Sequence, residues 1–323
     1  MTLRKRVGSR SCCSKSQSSA KQQRGTAIDA VPLSHFGASS LNVSLLGLGA
    51  GQIGDERLDE AQVGHLLNVA LDAGIRLIDT APSYGISEAR IGRHLAHRRG
   101  EFVLSTKFGY GIEGVVDWSG ECIARGVDRA LQRLQTDHID MAFLHSCALH
   151  VLQRGDVIDA LERARQAGKI GYAGYSGENG AVHFALASGR FQALETSLNL
   201  CDQKSIDEVV PQARAAGMVV IAKRPVANTP WRYRERPTGQ YVDEYWQRWQ
   251  AMAVDPQGQD WHELALRFAA WHTGAHSCIV GTASVEHLRR NADIVARGPL
   301  PGPWVQTLRE AFARHGAQWI GQV

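Results

Sequence analysis

The 323-residue chain is 44% apolar and 21% charged, ordinary figures for a water-soluble globular protein and a length that suits one α/β barrel with insertions. No run of about 18 apolar residues occurs, so no membrane-spanning helix is read. The formal charge of +4 comes from residues 1–28, which hold seven basic side chains and no acid; without them residues 29–323 carry −3, which argues against nucleic-acid binding by the folded part.

Residues 1–28 are rich in Ser and poor in apolar side chains, the composition of a disordered tail, and lack the apolar middle of a secretory signal. One folded domain is expected over 29–323, in the cytoplasm. Val31–Phe36 and Leu41–Val43 flank Gly37 and read as a small hairpin. Strands are then predicted at Val43–Ala50, Ile75–Ala81, Phe102–Phe108, Ile139–His145, Ile170–Ser176, Ala193–Leu200, Met218–Val226 and Ser277–Thr282. Helices follow them at Leu58–Ala73, Ser87–His97, Glu121–Leu134, Val157–Ala167, Ala181–Ser188, Ile206–Ala216, His262–His272 and Val285–Ala296. Buried strands alternating with amphipathic helices indicate a parallel sheet covered by helices, and eight such units close into a (β/α)8 barrel. Trp304–His315 is predicted as an additional C-terminal helix outside the repeat. An insertion at about 227–260 carries Trp231, Tyr233, Tyr241, Tyr245, Trp246 and Trp249; it reads either as a lid over the substrate or as a small helix packing its indoles on the barrel. Four of the six cysteines are scattered singly and none forms C-x-x-C, which suits reduced thiols and offers no metal site.

Working residues of such a barrel sit at the C-terminal ends of the strands. Asp79 closes the second strand, Tyr84 follows in the same loop, Lys107 lies at the end of the third and His145 closes the fourth. A carbonyl that accepts a hydride needs a proton at its oxygen. Tyr84 can supply it, provided a neighbouring ammonium such as Lys107 lowers a phenol pKa that is ordinarily near ~10. Asp79 would hold Lys107 charged, and His145 would orient the carbonyl oxygen. Phe108, Trp118 and Trp231 are candidate substrate contacts.

A rival motif is present. Gly49-Ala50-Gly51-Gln52-Ile53-Gly54 matches G-x-G-x-x-G, and Asp79 lies near where an open dinucleotide-binding sheet carries its ribose carboxylate. Such a motif opens a helix directly on its third glycine, whereas Asp55–Asp59 intervene here.

Leu77-Ile-Asp79-Thr80-Ala81-Pro-Ser-Tyr84-Gly85-Ile-Ser87-Glu88 resembles the aldo-keto reductase superfamily. So do the Lys strand Ser105-Thr106-Lys107, the His strand Ile139–His145, the segment Gly168–Ser176, and Ile279-Val-Gly281-Thr282 with Leu288 and Asn291. The resemblance spans about residues 30–295. It implies a (β/α)8 barrel, NADPH bound extended (with NADH as the alternative), Tyr84 as proton donor and metal-free reduction of an aldehyde or ketone. The cofactor contacts it implies are Gly49, Ser176, Gly177, Glu195, Lys223, Arg224, Pro225, Val226, Gly281, Thr282, Ser284, His287, Arg290 and Asn291. Four positions depart from the family pattern. Ser176-Gly177 stands for Ser-Asn, Glu195 for Gln, Lys223-Arg224-Pro225 for an aromatic that stacks on nicotinamide, and His287 for the Arg that grips a ribose 2′-phosphate. Besides carbonyl reduction, a sugar dehydrogenase running the reverse direction and a non-catalytic nucleotide-binding regulatory subunit are compatible with the same residues. The partner expected is a small carbonyl compound, not a nucleic acid or a membrane.

Overall fold

A computed structural model of the protein describes residues 1–2, 31–35 and 41–323. The expected tail from residue 3 onward, Gly37 of the hairpin, and Cys12 and Cys13 lie outside the described residues. A hairpin of β1 (Leu33–His35) and β2 (Asn42–Ser44) precedes eight parallel strands. These are β3 (Leu46–Gly49), β4 (Leu77–Asp79), β5 (Val103–Phe108), β6 (Ile139–His145), β7 (Ile170–Ser176), β8 (Ala193–Ser197), β9 (Val219–Lys223) and β10 (Ser277–Gly281), closed into a barrel with β10 against β3. Among the described residues the helices are α1 (Glu60–Asp72), α2 (Ser87–Leu95), α3 (Gly120–Leu134), α4 (Leu149–Arg154), α5 (Asp156–Gln166), α6 (Asn179–Ser188), α7 (Lys204–Glu208), α8 (Val210–Ala215), α9 (Asp243–Met252), α10 (Trp261–His272), α11 (Val285–Ala296) and α12 (Gly302–His315). None is long and apolar enough to cross a membrane.

Three expectations shift in detail. The apolar run from Val43 holds two strands: Ser44 Oγ donates to Leu46 O (2.5 Å) and accepts from Arg76 N (2.7 Å), turning the chain from hairpin into barrel. The helix expected at Ile206–Ala216 is two short ones, α7 and α8, the second opening around Pro211, whose ring nitrogen cannot donate inside a helix. A further short helix, α4, lies between β6 and α5.

Side chains alternate in and out along a strand, and this parity divides the barrel interior into two zones. The inward residues low in the barrel are apolar: Leu77, Val103, Met141, Phe143, Ala193, Val219, Ile221 and Ile279 pack together with Val43 of the hairpin, which plugs this end. Gly174 is required here, since a Cβ on it would lie 2.4 Å from the Phe143 ring. Further along the same strands, two residues on in most and four on from Val103 in β5, the inward positions are Asp79, Lys107, His145, Ser176, Glu195 and Lys223. One period therefore supplies both a core and, above it, a ring of polar groups. Cys122, Cys147, Cys201 and Cys278 are free, buried thiols.

Candidate active site

At the centre of that ring lies a buried ion pair. Lys107 Nζ is 2.5 Å from Asp79 Oδ2 and 3.2 Å from Thr80 O, and Ser105 Oγ donates to Asp79 Oδ1 at 2.5 Å. Burial opposes the Lys107 charge, but Asp79, Glu195 and Tyr84 outweigh it and hold the ammonium well above the ordinary lysine range. The Tyr84 ring stands 5.6 Å from Nζ and meets the His145 ring edge to face at 6.1 Å. The four expected catalytic residues are therefore together at one point.

Glu195 adds a second carboxylate. Its Oε2 is 3.4 Å from Lys107 Nζ, makes no hydrogen bond and is buried; its Oε1 accepts from Ser176 Oγ at 3.1 Å. One ammonium thus serves two carboxylates. Burial, then the Glu195 charge, pushes Asp79 up from its usual range, while Lys107 and Lys223 keep Glu195 ionised against burial. This reverses the expected effect on Tyr84. Lys107 pulls the phenol down, but burial and the charges of Asp79 and Glu195 prevail, pushing it up to about 12. Tyr84 is therefore a neutral phenol across the physiological range. Burial, reinforced by Lys107, pushes His145 down to about 3, so it is neutral as well.

The G-x-G-x-x-G run seats the Tyr84 loop. A Cβ on Gly54 would lie 1.7 Å from Tyr84 O, Ile86 N donates to Gly54 O at 3.2 Å, and Gly51 faces the Tyr84 ring. With β3 closed between β10 and β4, the open-sheet reading of this motif falls.

A cavity of about 1050 Å³ runs from Tyr84 and His145 past Glu195 and Arg224 to His287 and Arg290. Of the expected cofactor contacts, Gly49, Glu195, Lys223, Arg224, Pro225, Val226, Gly281, Thr282, His287, Arg290 and Asn291 line it, and so does Trp231. Ser176, Gly177 and Ser284 are not on its wall. Ser176 is fully buried behind Glu195, and a Cβ on Gly177 would lie 2.2 Å from the Tyr175 hydroxyl, which accounts for glycine there. Ser284 caps α11, accepting from His287 N at 3.3 Å. Lys223 is tied to Glu178 (3.3 Å), which also accepts from Ser197 N. Arg224, at φ +54°, donates to Ser197 Oγ (2.8 Å), to the backbone carbonyl of Gln322 (2.5 Å) and to the Tyr241 hydroxyl. Arg290 pairs with Asp260 at 2.5 Å, and Asn291 Oδ1 meets His262 Nε2 at 2.7 Å.

Phe108 is not at the site. With Lys107 facing in, strand parity turns Phe108 outward, where it packs beside Gly126 of α3. Trp118 lies one layer back, edge-on to Tyr110 at 5.8 Å. Tyr241, named in the aromatic insertion, lines the cavity, whereas Tyr110, Glu178 and Asp260 were missed by sequence reasoning. Only Asp260 carried a local signal, an acid just before a predicted helix, and it is indeed the α10 cap.

The model of the aldo/keto reductase family matches residues 45–312. The chain belongs to this family. L-galactose dehydrogenase of Arabidopsis thaliana is 26% identical over 301 residues, spanning 88% of this chain and 94% of that protein. D-threo-aldose 1-dehydrogenase of Pseudomonas sp is 26% identical over 318 residues, spanning 83% and 94%. Among solved structures, a holo-form aldo-keto reductase from Bacillus halodurans aligns with TM-score 0.76 at 27% identity, over 87% of this chain and 96% of that one. Aldo-keto reductases use NAD(P)H, and this barrel is an oxidoreductase of that kind.

Proposed function

We propose that this aldo-keto reductase interconverts a small aldehyde or ketone and its alcohol, with Tyr84 as the proton donor and NADPH as the preferred dinucleotide. The observation that carries the reading is the buried Asp79–Lys107 pair beside Tyr84 and His145, with Asp79, Tyr84 and His145 on the wall of one long cavity. The cavity suits a dinucleotide: it is at the upper end of ligand-pocket volumes, roughly 300–1,000 Å³. The buried Oε2 of Glu195, ion-paired with Lys107 but without a hydrogen bond, is an acceptor for a carboxamide N–H₂. When bound, the nicotinamide ring supplies or takes the hydride. As the carbonyl oxygen gains negative charge, Tyr84 passes it the phenolic proton. The ammonium of Lys107 steadies the phenolate left behind, and Asp79 holds that ammonium in place. His145, uncharged, orients the oxygen by hydrogen bonding.

In the reverse direction Tyr84 must first lose its proton. With its pKa near 12, reduction persists to alkaline pH while oxidation climbs as pH rises. A sugar dehydrogenase is the second reading, favoured because two relatives that align over most of this chain are named as aldose and galactose dehydrogenases. The deciding experiment follows NADPH and NADH absorbance against aromatic aldehydes, dicarbonyls and aldoses, and NADP⁺ and NAD⁺ against sugars. Tyr84→Phe should lower turnover by roughly 10²–10⁴-fold with cofactor binding intact. Near-normal turnover in that variant would remove Tyr84 from the reaction; no turnover by the wild type with any of these would favour a regulatory nucleotide-binding role.

A further inference from the structure

Tyr110 lies two residues beyond β5 and leans over His145. The two rings are stacked, 5.7 Å between centroids and 29° from parallel, and the phenolic oxygen is 2.5 Å from His145 Nδ1. The same oxygen is 3.0 Å from Oγ of Ser83, an exposed residue of the Tyr84 loop. Behind Tyr110, Trp118 packs edge-on and donates its backbone N–H to Gly109 O at 2.6 Å, bracing the turn that carries the phenol. With Nδ1 engaged, Nε2 is the ring nitrogen left for the cavity that His145 lines.

A neutral imidazole has one N–H, and a phenol has one O–H. Two arrangements satisfy the chain Ser83–Tyr110–His145. In one, Nδ1–H donates to Tyr110, Tyr110 donates to Ser83, and a bare Nε2 faces the cavity. In the other, Ser83 donates to Tyr110, Tyr110 donates to Nδ1, and an Nε2–H donor faces the cavity. A carbonyl oxygen can only accept, so it is oriented by the second arrangement and repelled by the first.

We propose that Tyr110 is a positioning residue for the carbonyl, holding His145 by ring stacking and by a hydrogen bond into Nδ1 so that Nε2–H is presented to the substrate oxygen. Ser83 completes the chain by donating to the phenolic oxygen. This rests on the functional reading above, in which a carbonyl oxygen sits between Tyr84 and His145. The outer partner of a working histidine fixes its tautomer and its ring orientation, so the function of Tyr110 lies in its hydroxyl and not only in its ring.

Tyr110→Phe separates the two, because it keeps the stack and removes one oxygen. Its kcat for carbonyl reduction should fall roughly tenfold, the order of loss from a modest misplacement, with the dissociation constant of NADPH and the unfolding temperature unchanged. Ser83→Ala, at an exposed position, should lower kcat in the same direction by less. The ¹⁵N resonances of His145 should report a single Nε2–H tautomer in the wild type and a mixture in Tyr110→Phe. A wild-type His145 protonated on Nδ1, or a Tyr110→Phe kcat within twofold of wild type, overturns the proposal. Should the wild type turn over no substrate, the functional reading fails instead, and the ¹⁵N resonances still decide the hydrogen bond.

Discussion

At the Tyr84 end of the cleft the ion pair of Lys107 and Asp79 is sealed, its side chains 1% and 2% exposed; at the far end Arg290 and Asp260 form an equally short pair with side chains 56% and 42% exposed. Charge count and distance are similar, but the surroundings are not. In the buried cluster each charge acts across a medium of low effective dielectric, so Asp79, Glu195, Lys107 and Tyr84 set one another's protonation. At the exposed end water and salt screen the same interactions within a Debye length of about 8–10 Å. Substitutions at the first end should therefore change rates and pH profiles by orders of magnitude, and those at the second should change affinities by small factors.

The largest effect expected on this comparison comes from a residue without charge. Gly54→Ala would drive a methyl group into the backbone carbonyl of Tyr84, 1.7 Å away, and neither segment is a flexible side chain that can swing aside. The Tyr84 loop must move. Overpacking of this kind costs about 1–3 kcal/mol of stability, and a displaced proton donor loses roughly 10²-fold in rate. Calorimetry with single-turnover kinetics measures both. An active Gly54→Ala enzyme would mean that the loop tolerates the displacement and that the sealed end yields to it.

Next in size is Glu195→Gln. Removing this carboxylate takes away one of the charges that push Tyr84 up, while Lys107 and Asp79 stay. The sign follows directly: the Tyr84 pKa falls, so alcohol oxidation, which needs the phenolate, sets in at lower pH, and carbonyl reduction, which needs the phenol, is lost at lower pH. A shift on the order of one unit corresponds to about 1.4 kcal/mol. pH–rate profiles in both directions test it. Unmoved profiles would show that Glu195 and Tyr84 are not coupled and that the sealed cluster is smaller than its distances imply.

The same contrast explains what could be read from sequence. The barrel was legible because each strand is a buried run and each helix an amphipathic one. Asp79, Lys107 and His145 were legible because they end such runs, where the fold exposes inward side chains to a cavity. The direction of the Tyr84 shift was not, because Lys107 was weighed without Glu195, which reaches it from a strand three places further round the barrel. Phe108, a candidate substrate contact, follows Lys107 directly on β5, and adjacent strand residues face opposite sides. The G-x-G-x-x-G run has two physical uses, cradling a phosphate or admitting another backbone, and only the contact with Tyr84 tells them apart. Arg224 was expected among the cofactor contacts, and nothing local announces that the carbonyl of Gln322, 98 residues away, accepts from it. Arg248 and Asn179 likewise donate to the carbonyls of Ile320 and Gly321, while Asn179 and Asp202 accept from the backbone N–H groups of Gly321 and Gln322. Partners this distant are properties of closure, not of any segment.

The smallest effect belongs to the exposed end and concerns cofactor choice. Recognition of a 2′-phosphate gains from positive charge beside the start of α11, and Arg290 lies one turn into that helix with His287. Arg290 is partly neutralised by Asp260, which the cavity also meets. The preference for NADPH over NADH should accordingly be narrow. Asp260→Asn removes the charge and keeps a side chain able to cap α10 by accepting from His262 N, as Asp260 does at 3.1 Å. Since exposed pairs are worth about 0.2–1 kcal/mol, freeing Arg290 should widen the NADPH preference by at most about fivefold. Arg290→Ala should narrow it instead. Both effects should shrink as ionic strength rises from 0.05 to 0.5 M, on the order of a halving of the Debye length or more. The measurement is the dissociation constant of each cofactor for wild type and both variants, by fluorescence quenching at two salt concentrations. A ratio that Asp260→Asn leaves unmoved would put the 2′ position away from this ion pair, and the exposed end of the cleft would then have no part in selecting the dinucleotide.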